Sequence, residues 1–229
     1  MQVKTYKTSK NVKLSKHFMS NEFRSFVNGV LTTKTILIHP LLITMLERFF
    51  DYGVDTIIIL SGYRDKKADI VVGGNGYGAH TLGLAADIMC YIDGKALNGE
   101  QIACLAQLIG FNGIGITGDT GCHVDVRTAE TYSNGHWWGD ERNGNNNIID
   151  FFKYAGIAKP QLFGDIGYYK EKCYTVKAKK KTAVYYDTPG TKIKKYYSKG
   201  KKARIFAEKN GRGKVLSGWI KLADTTKAS

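Results

Sequence analysis

Three of the five histidines in this chain lie where functional residues tend to collect. His80 and His136 stand in Gly- or aromatic-rich segments, and His123 stands near the end of a short predicted strand. Loops and strand ends of this kind carry a large share of binding and catalytic residues. His17, in a polar N-terminal arm, and His39, before a proline, are interpreted as surface and structural residues respectively.

Two spacings place carboxylates near these histidines. His80 and Asp87 are seven residues apart, with Gly83 between them to permit a turn. His123 and Asp125 are two residues apart in CHVDVR, and such residues share one face of a strand. Two neutral imidazoles and one carboxylate leave an open fourth position on a tetrahedral Zn²⁺, the usual layout of a catalytic zinc site. Spacing alone is equally compatible with a pair of hydrogen-bonded, partly buried histidines.

Three motifs in this order resemble those of one known family. GAHTLGLAAD (78–87) resembles the SxHxxGxAxD signature of zinc D-Ala-D-Ala carboxypeptidases and of the L-alanyl-D-glutamate endopeptidases in phage lysins. SGYR (61–64) resembles the substrate-binding loop of that family, and CHVDVR (122–127) resembles the segment with its last zinc ligand. The resemblance covers roughly residues 12–155.

The resemblance implies a zinc site and a substrate contact. It assigns His80, Asp87 and His123 as ligands of Zn²⁺. It assigns Arg64 to a substrate carboxylate or carbonyl, a role that suits a planar and permanently charged guanidinium. The bond to be cut is an amide in a peptide containing D-residues, and D-Ala-D-Ala, L-Ala-D-Glu and cross-bridge bonds all remain open.

The general base is less clearly assigned, because two positions depart from the family pattern. Gly78 replaces the signature serine, and Thr120 stands where many relatives have a glutamate three residues before the last histidine. Asp125 matches an HxD variant and is the first candidate to take the proton from a zinc-activated water. Asp119 is the second candidate, and His136 is expected to act as an acid or oxyanion donor. The aromatic residues expected to line the cleft, or else to be rim or core aromatics, are Tyr63, Trp137 and Trp138.

The patterns around these motifs predict an α+β domain with a small antiparallel sheet. A helix is expected from Pro40 to about Gly53, and another over 98–110 with Asn98 as its cap. A third helix is expected in IIDFFKYAG, while NGHWWGDERNGNNN reads as a polar, aromatic loop. Strands are expected at 56–60 (buried), from Ala85 to Ile92, at 111–116 and at 122–127.

Charge separates the chain into two modules. The net charge of the 229 residues is +14, but residues 165–229 have 18 Lys+Arg against 5 Asp+Glu, a balance of +13. We expect a zinc peptidase domain over 1–158, a linker over 159–169 and a basic domain over 170–229. Four cysteines without a CxxC spacing are too sparse for a disulfide scaffold.

The basic tail predicts a small barrel of five short strands that resembles bacterial SH3-like wall-binding domains. Its strands are expected in CYTVKA, TAVYYD, KIKKYYS, ARIFAEK and GWIKLA. Lysines would meet an anionic wall polymer, and the expected stacking residues are Tyr185, Tyr186, Tyr196, Tyr197 and Trp219. Single-stranded nucleic-acid binders use similar residues, and a solvated basic face over a tyrosine-rich core is the plainest alternative.

Together these features predict an endolysin-like, zinc-dependent peptidoglycan hydrolase, a monomer that binds bacterial peptidoglycan and neither nucleic acid nor the membrane interior. No apolar run reaches the ~18 residues needed to span a bilayer. The N-terminus lacks the apolar segment of a secretion signal, so synthesis in the host cytoplasm and action on the wall after release are expected. The alternatives are a noncatalytic zinc-containing wall binder and a bacterial D,D-carboxypeptidase that remodels its own wall.

Overall fold

A computed structural model of the protein describes residues 2–132, 135–157, 169–185, 192–215 and 218–228. The chain divides into two compact units. The first consists of Met1–Phe49, Ile57–Cys90 and Ala96–Phe151, and the second of Phe50–Thr56, Tyr91–Lys95 and Phe152–Ser229. The linker expected over 159–169 lies almost entirely outside the described residues and stays a prediction.

The N-terminal arm forms short strands ahead of the first helix. Strand β1 (Lys4–Lys7) pairs antiparallel with β4 (Thr35–Ile38), and β2 (Phe26–Val27) forms a hairpin with β3 (Val30–Leu31). Phe18 and Phe23, each 1% exposed, anchor the arm in the core. The arm is therefore built into the domain.

The central sheet of the first unit carries the motifs. Its strands are β5 (Thr56–Ser61), β6 (Ala85–Ile92), β7 (Lys95–Ala96), β8 (Gly113–Ile116), β9 (Cys122–Asp125) and β10 (Trp137–Asp140). They lie in the order β10-β8-β9-β6-β5, with β7 paired to β6. The β6–β9 and β8–β9 pairs are antiparallel, as expected, but β10 runs parallel to β8.

Two expectations about these strands are wrong. The segment expected to be a polar loop contains β10, because two consecutive tryptophans favour a strand even between polar, Gly-rich flanks. The run at 56–60 is not buried: it forms the edge strand β5, where Ile58 is 43% exposed and Leu60 is 53% exposed. An apolar run indicates a strand without showing how many of its faces are covered.

The helices expected in the first part of the chain are present. They are α1 (Pro40–Asp51), α3 (Gly99–Ile109) and a short α4 (Phe151–Ala155). Asn98 and Gln101 form the capping box of α3, and Gly110 ends it with a φ of +95°. A further short helix, α2 (Lys66–Val71), was not expected and is capped by Asp65. No helix in the described part of the chain is long and apolar enough to cross a membrane.

The basic tail forms one antiparallel sheet of seven strands. The five expected strands appear as β11 (Tyr169–Ala178), β12 (Thr182–Tyr185), β13 (Ile193–Tyr197), β14 (Lys202–Lys209) and β16 (Gly218–Lys221). The additional strands are β15 (Arg212–Val215) and β17 (Thr225–Lys227), and the order is β13-β12-β16-β15-β14-β11-β17. No strand pairing among the described residues closes this sheet into the expected barrel. Its core consists of Val176, Val184, Ile205, Val215 and Ile220.

Candidate metal centre

One nitrogen of His80, one oxygen of Asp87 and one nitrogen of His123 converge on a single point. Nε2 of His80 is 3.2 Å from Oδ1 of Asp87 and 3.1 Å from Nδ1 of His123, and the last two atoms are 3.0 Å apart. Ligand atoms at zinc bond lengths form a tetrahedron with edges of about 3.3 Å. The three donors thus already form a triangle close to one face of such a tetrahedron.

The sheet register produces this convergence. Asp87 in β6 is paired with His123 in β9, so both side chains leave the same face of the sheet. His80 approaches from the turn before β6, which bends back at Gly83 with a φ of +70°. A Cβ at Gly83 would lie 2.6 Å from the backbone of Leu37, so the turn requires glycine here.

A backbone carbonyl orients His80. Its Nδ1–H donates to the carbonyl oxygen of Gly62 at 2.6 Å, and this fixes the tautomer with a lone pair on Nε2. Gly62 belongs to the SGYR segment. That motif therefore supports the group formed by His80, Asp87 and His123, the metal group, as well as carrying Arg64. The side chain of His80 is 4% exposed.

A buried carboxylate orients His123 from the side of the ring away from its convergent nitrogen. Nε2 of His123 donates to Oδ2 of Asp125 at 3.0 Å, while Nδ1 faces Asp87. Asp125 has no exposed surface and accepts from both the backbone N–H and Nε of Arg127, each at 2.9 Å. Although burial raises the pKa of Asp125, the hydrogen bonds from His123 and Arg127 hold it well below its usual range.

The carboxylates around His123 favour a positive charge at this site. Burial lowers the pKa of His123, but hydrogen bonds to Asp125 and Asp87 outweigh that effect and raise it to about 9. The Asp87 carboxyl shows the complementary behaviour: burial raises its pKa, and His80 and His123 hold it well below its usual range. Two imidazoles and one ionised carboxylate form a donor set that suits Zn²⁺.

Arg64 lies beside the three converging residues, and its role as a substrate contact stays a prediction. One of its terminal nitrogens is 3.5 Å from Oδ2 of Asp87 and the other is 3.5 Å from Oδ1 of Asp69. Asp69 is 3% exposed and accepts from the N–H of Gly76, so it ties Arg64 to the Gly-rich loop before His80. Asp69 was not predicted as a site residue, because nothing in the sequence of α2 marks it as buried.

Strand alternation separates the two tryptophans. The ring of Trp137 lies 5.8 Å from that of His123, at an interplanar angle of 78°. Trp138, on the other face of β10, donates to the carbonyl of Phe111 and packs on Phe151. His136 stacks on Trp138 at 4.7 Å. Of these three, only Trp137 is packed against the metal group.

The other candidates contribute differently. Asp119 is exposed, and its backbone carbonyl accepts from the N–H of Gly99 at the start of α3. Tyr63 follows Gly62 and donates its backbone N–H to Phe23, and burial raises the pKa of its phenol. Because Asp125 bonds the nitrogen of His123 that faces away from the convergence point, its geometry favours positioning over proton transfer. Its role as general base stays a prediction.

The residues expected to stack on wall polymer differ in exposure. Tyr196 is 51% exposed in β13, and Tyr185 and Tyr197 are partly buried. Trp219 is 2% exposed, so its expected place on a stacking surface is wrong: it belongs to the interior. Tyr186 lies outside the described residues.

Comparison with known proteins supports the chemistry of this site. Residues 13–125 match the family model described as Peptidase M15, a span that contains Arg64 and all three metal-ligand candidates. The M15 family consists of zinc-dependent metallopeptidases, and the match supports placing this part of the chain among them. No curated protein and no solved structure matches the chain significantly.

Proposed function

We propose that the protein is a zinc-dependent peptidoglycan peptidase that hydrolyses an amide bond in a stem or cross-link peptide containing D-residues. The observation that carries the proposal is the 3.0–3.2 Å convergence of donor atoms from His80, Asp87 and His123. The Peptidase M15 match over residues 13–125 supports it independently.

Each residue around the convergence point has a distinct role in this proposal. His80, Asp87 and His123 hold the zinc ion, which when bound polarises a scissile carbonyl and lowers the pKa of a water. Arg64, whose side chain is 21% exposed, offers its guanidinium to a substrate carboxylate or carbonyl next to Asp87. A carboxylate or carbonyl fixed there orients the peptide for attack at the neighbouring amide.

The second unit is proposed to hold the enzyme on the wall, in the manner of an SH3-like binding domain. The balance of +13 over residues 165–229 suits an anionic wall polymer. Strand β13 exposes Lys195 and Tyr196, and Nζ of Lys181 lies 4.7 Å from the ring centre of Tyr196. A catalytic module joined to a basic binding module suits an endolysin, and a bacterial D,D-carboxypeptidase is the alternative within the same chemistry.

One observation favours a second function, that of a noncatalytic zinc-containing wall binder. The first candidate for the general base, Asp125, is fully buried and bonded to His123 and Arg127. A domain that holds zinc without a proton acceptor would bind wall peptides and leave them intact.

Zinc content and product analysis separate these functions. The purified protein is expected to hold one zinc per chain and to release peptide fragments from purified peptidoglycan, with mass spectrometry of the new termini identifying the bond. Chelation should abolish release and added zinc should restore it. His80→Ala should lose both metal and activity, while Glu130→Gln, an exposed change outside the metal group, should retain both. Zinc binding without any fragment release would refute the peptidase and favour the noncatalytic binder.

A further inference from the structure

We infer that Glu141 is the general base of this peptidase. This assignment rests on the proposed function and adds to it the residue that moves the proton. The Glu141 carboxylate accepts a proton from the attacking water as the water oxygen bonds to the scissile carbonyl carbon. It then returns that proton to the amide nitrogen as the C–N bond breaks, so that a free carboxylate and a free amine leave.

The backbone of Glu141 is fixed at the edge of the metal-bearing sheet. Glu141 follows β10 directly, and its N–H donates to the carbonyl of Ile116, the last residue of β8, at 2.9 Å. This bond continues the parallel pairing in which Asp140 is aligned with Ile116. The side chain of Glu141 therefore starts from an ordered position next to the β8–β9 turn.

The carboxylate of Glu141 lies over Gly115. Its Oε1 is 3.3 Å from the position that a Cβ on Gly115 would occupy. Gly115 is aligned with His123 in the antiparallel β8–β9 pair, and aligned residues direct their side chains to the same face. Glu141 is thus on the metal-bearing face, and its Oε1 is within about 9 Å of the Cβ of His123 if aligned Cβ positions are about 5.5 Å apart.

The missing side chain at Gly115 makes room for this arrangement. A Cβ there would lie 2.6 Å from Cη2 of Trp137, and the Trp137 ring packs against the His123 ring at an interplanar angle of 78°. The Trp137 ring therefore covers the buried Gly115, and the Glu141 carboxylate lies beside this ring on the face that carries His123. A peptide bound at the metal group along this ring would have the Glu141 carboxylate at its side.

The residues on either side of Glu141 in the chain, Asp140 and Arg142, pair with each other. Asp140 is fully buried and pairs with Arg142, whose guanidinium also reaches Glu100. The exposed Glu141 carboxylate has no hydrogen bond or ion pair to any residue that the structure describes. Its proton-accepting oxygens are thus available to substrate water, as a general base requires.

The other carboxylates near the metal group are less suited to the role. Asp125 is fully buried behind the His123 ring and bonded to Arg127. Asp119 is exposed in the β8–β9 turn, and its backbone carbonyl accepts from the N–H of Gly99 at the start of α3. Thr120, in the same turn, has no carboxylate.

The test compares Glu141→Gln with Glu141→Asp in the full-length, zinc-loaded protein. Glu141→Gln should lower kcat on peptidoglycan fragments by about 10²- to 10⁴-fold and leave KM within a few-fold, and the acid limb of the pH–rate profile should disappear. Glu141→Asp should recover part of kcat. Zinc affinity, measured by competition with a chromophoric chelator, should equal that of the wild type in both variants. Glu130→Gln, an exposed change elsewhere, is the matched control and should leave every quantity unchanged.

The outcomes distinguish this inference from the function on which it rests. If the wild-type protein releases no fragments, the proposed function fails and the inference fails with it. If the wild type is active and Glu141→Gln keeps more than a tenth of its kcat, the peptidase stands and Glu141 is not its base. Loss of zinc affinity in Glu141→Gln would also overturn the assignment, since it would show a structural role. A large loss of kcat in Asp119→Asn alone would transfer the role to Asp119.

Discussion

His80 and Gly62 are joined by a 2.6 Å hydrogen bond from the imidazole Nδ1 to the backbone carbonyl. This bond connects two motifs that are 18 residues apart in the chain. Gly62 is itself tightly enclosed, because a Cβ there would lie 2.6 Å from Cα of Phe23. The orientation of one metal-ligand candidate therefore depends on how closely the N-terminal arm packs against the SGYR segment.

We expect Gly62→Ala to weaken zinc binding without removing a ligand. The added methyl group must displace Phe23 or the loop, and the carbonyl that orients His80 moves with the loop. Changes of this kind around metal ligands typically cost 10- to 100-fold in affinity. Competition titration with a chromophoric chelator measures the effect. Gly118→Ala is the matched control, since nothing lies within 4 Å of a Cβ at Gly118 and its backbone does not lie in the left-handed region. Unchanged zinc affinity in Gly62→Ala would show that the carbonyl does not position His80.

Asp125→Asn separates positioning from proton transfer. If Asp125 positions His123, the variant should bind zinc about 10- to 100-fold more weakly but recover most of its kcat at saturating zinc. Full zinc affinity combined with a kcat reduced by 10² or more would instead assign the proton transfer to Asp125. Chelator competition and activity at several zinc concentrations together decide between the two.

Arg127→Gln is the matched variant for this test. It removes the guanidinium that bonds Asp125 and leaves the carboxylate in place. A positioning role predicts that both variants lower zinc affinity in the same direction. A fall in kcat without a fall in affinity in Arg127→Gln would contradict that role.

The metal group was predictable from the sequence because its signals are local. The spacing of His80 and Asp87 is set by one turn and the start of one strand, and His123 lies in a short strand with a recognisable pattern. The register that aligns Asp87 with His123 then follows from pairing two buried strands. Residue type and short-range spacing marked these positions, and the resemblance to a zinc peptidase family was needed to assign all three as ligands.

The surroundings of the metal group were not predictable, because they depend on pairings between distant segments. Glu141 lies on the face of the metal-ligand candidates only because β10 forms a strand parallel to β8. The same strand sends Trp138 to the opposite face, and with it the stacked His136. Whether Trp219 would be an exposed aromatic or a core residue depended on a sheet of seven strands, of which only five gave a sequence signal.

Tyr196→Ala should weaken binding to cell walls without affecting folding. Its ring is 51% exposed beside Lys181. Truncation therefore removes a contact that contributes about 1 kcal/mol to wall binding, which corresponds to a severalfold loss of affinity. Cosedimentation with purified walls at increasing salt measures this, and cleavage of a short soluble peptide should be unaffected.

Trp219→Ala is the contrasting variant. It empties a buried position and should destabilise the second unit by about 3–5 kcal/mol, visible as an early thermal transition.

Tyr196→Ala with full wall binding at every salt concentration would contradict a role for β13. Binding to single-stranded nucleic acid with equal or greater affinity than to walls would instead favour the nucleic-acid alternative.

Glu47 gives a pH-dependent contribution to stability that does not involve the metal group. Its carboxylate accepts from the backbone N–H of His17 at 2.9 Å and from Nδ1 of His17 at 2.6 Å, and so ties the N-terminal arm to α1. Burial raises the pKa of Glu47, but hydrogen bonds from Ser15 and His17 outweigh it and leave the pKa below its usual value. A carboxyl with a lowered pKa stabilises the folded state above its unfolded pKa, about 4.3, and loses this contribution as pH falls through the folded pKa.

Glu47→Gln should therefore unfold at a lower temperature than the wild type at pH 7, by the equivalent of about 1 kcal/mol or less, because solvent screens a partly exposed pair. The difference should shrink steadily below pH 4 as the wild-type carboxylate becomes protonated. Thermal unfolding followed by circular dichroism at pH 7 and at pH 3 measures both, with Glu130→Gln as the exposed control. An equal difference at the two pH values would mean that the amide changes packing alone and that the charge of Glu47 does not anchor the arm.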